Sequence, residues 1–247
     1  MTFVFLHVDR TGGMSVRDWL ARRFDYRAIR PVPHHSQGTV QPVSYPLDFN
    51  ADLRAQNQQF VHNDMWKLVM GHWDAGILER IPGPVQVLTV LRHPAERAAS
   101  LWRYICQEPM YGGMGVEARV LGMTDFLLMH QELWVHAMTW QLAGARWSNN
   151  KKVYQQALKN VQEFDFVGVT EMLDVFLPSL QPYLPSEQDA PLVVPTEGVR
   201  RLNGTTGDEV TVEFRKMVAE VSPLDVRLYN LAKARCEHAI QQSNVSQ

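Results

Sequence analysis

The sequence predicts an α/β fold: one three-layer domain over residues 1–247, with a central, mainly parallel sheet and helices on both faces. Three observations predict it. Short apolar, β-rich runs alternate with segments of helical periodicity. Two of those runs pass directly into a glycine or proline that opens a helix, the strand-turn-helix unit of parallel sheets. The runs are also continuously apolar rather than alternating, as strands buried on both faces require. A length of 247 residues suits one large or two small domains at about 150 residues each. With 45% hydrophobic and 20% charged residues, disordered, collagen-like and coiled-coil classes are excluded.

The first strand is predicted over Thr2 to Val8, broken by Asp9-Arg10-Thr11-Gly12-Gly13; Met14, Val16, Trp19, Leu20 and Phe24 then recur at helical spacing. Pro31 to Pro46, rich in Pro, His, Ser and Gln, reads as a long loop. A short strand is expected over Lys67 to Gly71, and a clearer one over Val85 to Leu91, bounded by Pro82-Gly83-Pro84 and Pro94. Pro94 stands at the favoured first position of a helix carrying Ala98, Leu101, Trp102 and Ile105. After a second glycine turn at Gly112-Gly113, helices are expected over Thr124–His130, Leu133–Ala143 and Asn150–Gln162. A strand over Phe164–Val169 precedes a helix from Thr170. Ser222-Pro223 opens a last helix running to about Gln241, with a serine N-cap and proline at N1.

Charge and cysteine usage narrow the function classes. Lys+Arg 24 against Asp+Glu 26 gives a net charge of -2, so no global positive field draws the chain to nucleic acid or an anionic membrane. Cys106 and Cys236 lie far apart and outside any C-x-x-C spacing, which supports neither a zinc site nor a disulfide framework. The opening MTFVFLHVDRTGG has an apolar stretch of about six residues and no basic leader, so it reads as a buried strand, not a signal peptide. No stretch approaches the roughly 18 apolar residues of a membrane span, and a cytoplasmic protein is the expectation.

Two strand-to-helix turns carry the chemistry. In Phe5-Leu6-His7-Val8-Asp9-Arg10-Thr11-Gly12-Gly13-Met14-Ser15, glycines at a helix start let backbone N–H groups approach an anion, and Arg10, Thr11 and Ser15 add donors. That is a P-loop-like phosphate turn. It is not a Walker A motif, because G-x-x-x-x-G-K-[ST] is absent. Taken alone, a Gly-Gly turn serving only geometry fits this segment as well. In Val90-Leu91-Arg92-His93-Pro94-Ala95-Glu96-Arg97-Ala98-Ala99-Ser100, Arg92 leaves the strand on the crevice side and Arg97 and Ser100 sit one turn apart. Two arginines and a hydroxyl suit a dianionic phosphate; a solvated or ion-paired helix residue is the competing reading of Arg97.

Together the two turns resemble the PAPS-dependent sulfotransferases, closest in motif to the carbohydrate branch that contains the heparan sulfate 2-O- and 6-O-sulfotransferases. The first is similar to that family's phosphosulfate loop, His-Ile-Pro-Lys-Thr-Gly-Gly-Thr-Ser, retaining His7, Thr11, Gly12, Gly13 and Ser15. The second is similar to its 3′-phosphate segment, Leu-Arg-Asp-Pro-x-x-Arg-x-x-Ser, with Leu91, Arg92, Pro94, Arg97 and Ser100 matching. Weaker likenesses continue through Met70–Trp73, Phe164–Glu171, Leu202–Thr205 and Ser222–Tyr229. Asp9 stands where the family has proline, Met14 where it has a second threonine, and Arg10 where it has the lysine that contacts the transferring sulfate. Arg10 can neutralise charge on a leaving phosphate but cannot donate a proton, its pKa exceeding about 12.

The resemblance implies in-line transfer of a sulfuryl group from PAPS (3′-phosphoadenosine 5′-phosphosulfate) to a hydroxyl, carbohydrate among the acceptor classes, leaving PAP. It implies His72 and Arg10 as catalytic residues. For the nucleotide it implies Arg10, Thr11, Gly12, Gly13, Met14 and Ser15 at the 5′ end, Arg92 and Ser100 at the 3′-phosphate, and Asn203 closing over it. No metal is expected, because a sulfuryl group carries less charge than a phosphoryl and fixed cations and backbone donors can serve. His72 suits proton abstraction near neutral pH. A structural histidine packed by Trp73 is its alternative, and His34, His35, His62 and His93 are rivals, His93 as the shaper of its turn. Trp66, Trp73, Trp102, Tyr104 and Tyr111 are either stacking faces for a small-molecule or glycan acceptor or core. The alternatives are a PAP- or PAPS-binding protein without catalysis and a P-loop kinase, the latter opposed by the missing Walker lysine. The oligomeric state is left open.

Overall fold

The computed structural model describes residues 1–21, 23–24, 29–31, 68–81, 83–144, 151–184 and 210–245. Among the described residues, five strands form one all-parallel sheet: β1 (Thr2–Leu6), β2 (Ile29–Pro31), β3 (Leu68–Gly71), β4 (Val85–Leu91) and β5 (Phe166–Val169), in the order β2-β3-β1-β4-β5. β1 is central. It pairs with β3 from Phe3 opposite Leu68 and with β4 from Thr2 opposite Val85. Successive residues Phe3, Val4, Phe5 and Leu6 point to alternate faces, yet all are buried, so helices cover both sides of the sheet in three layers.

The helices are α1 (Gly13–Ala21), α2 (Pro94–Gln107), α3 (Gly112–Met129), α4 (Ala137–Ala143), α5 (Lys151–Glu163), α6 (Leu173–Ser179), α7 (Val212–Val221) and α8 (Pro223–Val245). Pro94 opens α2 as expected, and His93 caps it, its Nδ1 accepting from the Ala95 N–H at 3.2 Å. Among the described residues, no helix is long and apolar enough to cross a membrane.

Several expectations are corrected. The first and last predicted strands are shorter, starting or ending within two residues of the expected bounds, and Ile29–Pro31 adds an edge strand where the loop was expected to begin. Gly112 (φ 44°) turns the chain from a 3₁₀ turn at Pro109–Tyr111 into α3, which absorbs the helix expected from Thr124 and bends at Gly122, where φ is 76°. The helix expected from Leu133 starts only at Ala137, because a 3₁₀ turn at Gln131–Leu133 and a left-handed His136 (φ 56°) intervene. Thr170 opens a 3₁₀ turn before α6, and α7, capped by Thr211, was not anticipated. Ser222 is fully buried, and its hydroxyl accepts from the His136 N–H at 3.0 Å.

Two apolar clusters result. The larger surrounds the sheet, with Phe3 against Phe24 and Phe166 at 5.9 and 5.8 Å between ring centroids. The smaller joins Ala95, Ala98, Ala99, Leu101 and Ile105 of α2 to α3, α7 and Trp134. α2 therefore places its apolar side chains, Ala95 of the first turn included, in this separate helical core and meets the loop after β1 through Arg97. The phosphate-suited segments stand at this junction.

Candidate anion site at the strand ends

In a parallel sheet the ligand crevice lies beyond the carboxyl ends of the strands, at the point where the strand order reverses. β1, with β3 on one side and β4 on the other, is that point. The segments leaving these three strands bring together His7 to Ser15, His72 and Arg92 to Ser100.

The first turn is shaped by its backbone. Arg10 and Gly12 are left-handed, with φ 63° and 79°. The Thr11 hydroxyl, fully buried, donates to the Val8 carbonyl at 2.7 Å, and the Thr170 hydroxyl lies 2.8 Å from the Thr11 carbonyl and 3.1 Å from that of Leu91. Thr11 thus contributes loop shape rather than a side-chain donor facing out. Gly12 and Gly13 are both required. A Cβ on Gly12 would stand 3.2 Å from Thr170 and Leu173, on a backbone that side chains rarely adopt. One on Gly13 would fall 1.7 Å from the His7 ring. The Gly12 carbonyl accepts the first α1 bonds, from Ser15 and Val16, which leaves the amides of Gly13 and Met14 at the open end of the helix. Ser15 is buried, whereas Met14 is 41% exposed beside Arg17.

The second turn is shaped by side chains. The His93 N–H donates to Glu171 at 3.3 Å and the His93 ring lies edge-on to Tyr229. Arg97, only 4% exposed, donates through Nε to the Asp9 carbonyl at 3.0 Å and through Nη1 to the Trp134 carbonyl at 3.4 Å. It braces the first turn from below and, being buried, is not the solvated residue considered from sequence. Arg92 is half-buried and its Nη1 reaches the Arg10 carbonyl at 3.5 Å. Burial lowers the Arg92 pKa from its ordinary value; Glu96 and Glu171 oppose this, and Arg103 and Arg10 add to it.

Arg10 crosses from one turn to the other. Its Nε and Nη2 lie 3.3 and 3.2 Å from the Ser100 hydroxyl, and its guanidinium stands 4.3 Å over the Tyr104 ring. Tyr111 meets Tyr104 edge-on at 5.6 Å. Burial pushes both phenols up, Glu108 next in effect for Tyr104 and Asp9 for Tyr111. At the end of β3, the His72 ring packs on that of His7 at 3.8 Å, so His72 is one ring removed from Gly13. Gln141 fixes the two strand ends together by donating to the carbonyls of His7 and Trp73, 2.8 Å each.

Asn203, the rivals His34, His35 and His62, and Trp66 fall outside the described residues. Trp73 is buried, and Trp102 donates to the Ala118 carbonyl at 3.0 Å, which makes both core. Sequence reasoning missed Thr170, Glu171 and Gln141 as fixers of the two turns. The first two lie within the Phe164–Glu171 likeness; nothing in the sequence distinguishes Gln141. It also missed a buried polar cluster behind Arg97: Asp225 accepts from the Thr139 N–H at 2.8 Å and hydroxyl at 2.7 Å, and the Ser222 hydroxyl lies 3.2 Å from His136 Nδ1. Burial raises the Asp225 pKa, against the Arg97 charge and the Thr139 bonds, and lowers that of His136.

Among the described residues, no group of three or more histidines, cysteines or carboxylates gathers as a metal site would. No protein-family model matches the chain, and no curated protein matches it.

Proposed function

We propose that the chain is a sulfotransferase that moves a sulfuryl group from PAPS to a hydroxyl acceptor by in-line displacement, with PAP as product. The observation that carries this reading is the meeting of two phosphate-suited turns at the carboxyl ends of neighbouring parallel strands, joined by the Arg10 to Ser100 contact. The amides at the start of α1 and the loop from Thr11 to Ser15 suit the 5′-phosphosulfate. Arg92 and Ser100 suit the 3′-phosphate, and Asn203 is assigned to the same nucleotide. In the transfer, the acceptor oxygen bonds to sulfur as the bond from sulfur to the 5′-phosphate oxygen breaks, and that oxygen keeps the electron pair. His72 takes the acceptor proton, supported by its place beside His7 and the loop. No metal is called for, since oriented amides and guanidinium groups can stabilise the charge that develops. A small-molecule or glycan acceptor is expected, Tyr104 and Tyr111 offering ring faces. Cytoplasmic location belongs to the same proposal, supported by the two isolated thiols of Cys106 and Cys236.

Thermal denaturation with PAP, ATP or ATP plus Mg²⁺ tests the ligand. At about 100 times its dissociation constant PAP should stabilise the fold by roughly 2.7 kcal/mol. Stabilisation by ATP with Mg²⁺ but not by PAP would establish the kinase alternative instead. Release of PAP from PAPS over a library of hydroxyl compounds tests the chemistry. His72→Ala should lower turnover about 10²- to 10⁴-fold with PAP affinity nearly unchanged. Unchanged turnover removes His72 from the mechanism, and a parent protein that binds PAP yet transfers nothing supports binding without catalysis.

A further inference from the structure

β1 and β3 separate at His7 and His72. The last pair of their ladder is Leu6 opposite Gly71, so these two histidines stand one position further on, side by side where the crevice opens. The His7 N–H still donates to the Gly71 carbonyl at 2.9 Å. Beyond that bond a side chain joins the strands: the Gln141 amide nitrogen donates to the carbonyls of both His7 and Trp73. His72 is thus flanked by two carbonyls that both accept, that of Gly71 from β1 and that of Trp73 from α4, while its ring rests on the His7 ring. α4 is itself held at both ends. Asp225 accepts from the Met138 and Thr139 N–H groups at its start, and the Asn160 side chain donates to the Leu142 carbonyl at 2.7 Å near its end. Left-handed Gly144 then closes so tightly on the 3₁₀ turn Ala75–Arg80 that a Cβ there would stand 3.0 Å from the Gly76 nitrogen. The segment that follows His72 is therefore seated on α4 at two points, Trp73 and Gly76.

We infer that Gln141 is a positioning residue for the transfer: by tying the carbonyls of His7 and Trp73 to one amide, it fixes where the His72 ring stands relative to the loop after β1. This rests on the reading of His72 as the base. A base must stand within hydrogen-bond reach of the acceptor oxygen while the loop holds the donor, and a misplacement of about 1 Å can cost about 10²-fold in rate. Neither strand sets that distance alone, because His72 leaves β3 whereas the loop leaves β1. One donor group shared by the two strand ends does set it. The His7 ring carries the same constraint onward, since His72 rests on it and Gly13 of the loop packs against it. The chemistry of the side chain matters here: an amide nitrogen has two N–H donors for two carbonyls, whereas a carboxylate at this position would only accept.

The test measures PAP release from PAPS with a hydroxyl acceptor drawn from the library, together with long-range proton–nitrogen NMR spectra of the imidazoles, in which His72→Ala identifies the His72 signals. Gln141→Met keeps the length of the side chain and removes both donors. It should lower kcat roughly 10- to 100-fold, leave PAP affinity and the KM for PAPS within about threefold of parental, and displace or broaden the His72 signals. Gln141→Lys keeps N–H donors at a similar reach and should return turnover and the His72 signals toward parental. Gln141→Asn, whose amide is too short to span both carbonyls, gives the same reading if the methionine variant folds poorly. A merely structural role would lower the melting temperature without separating kcat from KM or moving His72 apart from the other histidines. Parental kcat, equal losses in kcat and PAP affinity, unmoved His72 signals, or a lysine variant as slow as the methionine one overturns the role of Gln141 and leaves the sulfotransferase reading intact. Unchanged turnover in His72→Ala, or a parent protein that transfers nothing, overturns the reading beneath it and this role as well.

Discussion

The turn after β1 and the turn after β4 do the same topological job by opposite means. The first is held by backbone conformation: two left-handed residues, two glycines that admit no Cβ, and a buried threonine hydroxyl turned back on its own loop. The second contains no left-handed residue and relies on Pro94, the His93 cap and the Glu171 carboxylate. The first therefore offers amides and the second cations. Each also depends on the other, since Arg10 reaches Ser100 while Arg97 and Arg92 reach the carbonyls of Asp9 and Arg10. A loop need not be rigid by itself when the neighbouring strand supplies the braces.

The largest expected effect breaks the backbone-built turn. Gly13→Ala sets a methyl group into the His7 ring and should destabilise the protein by about 3 kcal/mol or more, beyond the usual range for overpacking because the neighbour is held between Phe5 and His72. Adding His7→Ala should restore part of the loss in urea denaturation; strict additivity of the two changes would deny the contact. Next come two arginines of the side-chain-built turn, expected to separate. Arg97→Met removes the donor to the Asp9 and Trp134 carbonyls and should cost about 1.5–3 kcal/mol of stability. Arg92→Ala should leave stability close to parental and weaken PAP by about 1.5–3 kcal/mol, with a far smaller effect on adenosine 5′-phosphosulfate. If Arg92→Ala instead unfolds the protein and Arg97→Met does not, the roles are reversed.

The smallest effect is a pH dependence. Burial lowers the pKa of His93, with Arg215 adding to it, and of His136, where Asp225 opposes it. Between those folded-state values and the ordinary value near 6.5, the unfolded chain binds more protons than the folded one. The stability these two histidines contribute should accordingly be complete above about pH 6.5 and decline as pH falls below it. His136→Asn, which suits the left-handed backbone, should flatten the decline in melting temperature; an unaltered slope would assign the decline to other groups.

The sheet was legible in the sequence because its strands are continuous apolar runs ended by glycine or proline, and Pro94 and Ser222-Pro223 mark helix starts directly. Boundaries failed where tertiary contacts override periodicity. His136 turns left-handed because its N–H and ring both meet Ser222, 86 residues away in the chain, and no local pattern records that. The site was legible as two motifs but not as one object. That Arg97 supports the loop, and that Arg10 leaves it, depends on side-chain paths across β1 and β4, to which residue spacing is blind. Thr170 and Glu171 were visible as residues, yet their work of pinning both turns needs the pairing of β4 with β5.

The central place of β1 has a consequence for how the molecule forms. Its ladder partners are Leu68–Gly71 on one side and Val85–Leu91 on the other, with β2 lying beyond β3 at the edge. The earliest of the described strands therefore waits longest for a first neighbour. During synthesis it waits, apolar on both faces and without a neighbour, until about a quarter of the chain has followed it. Such long-range parallel pairing is slow and leaves a sticky edge open in the interval. The loop that follows β1 inherits that delay: its braces, Arg92, Arg97 and Thr170, are all made later still, so an anion site at this position is among the last features of the fold to become complete.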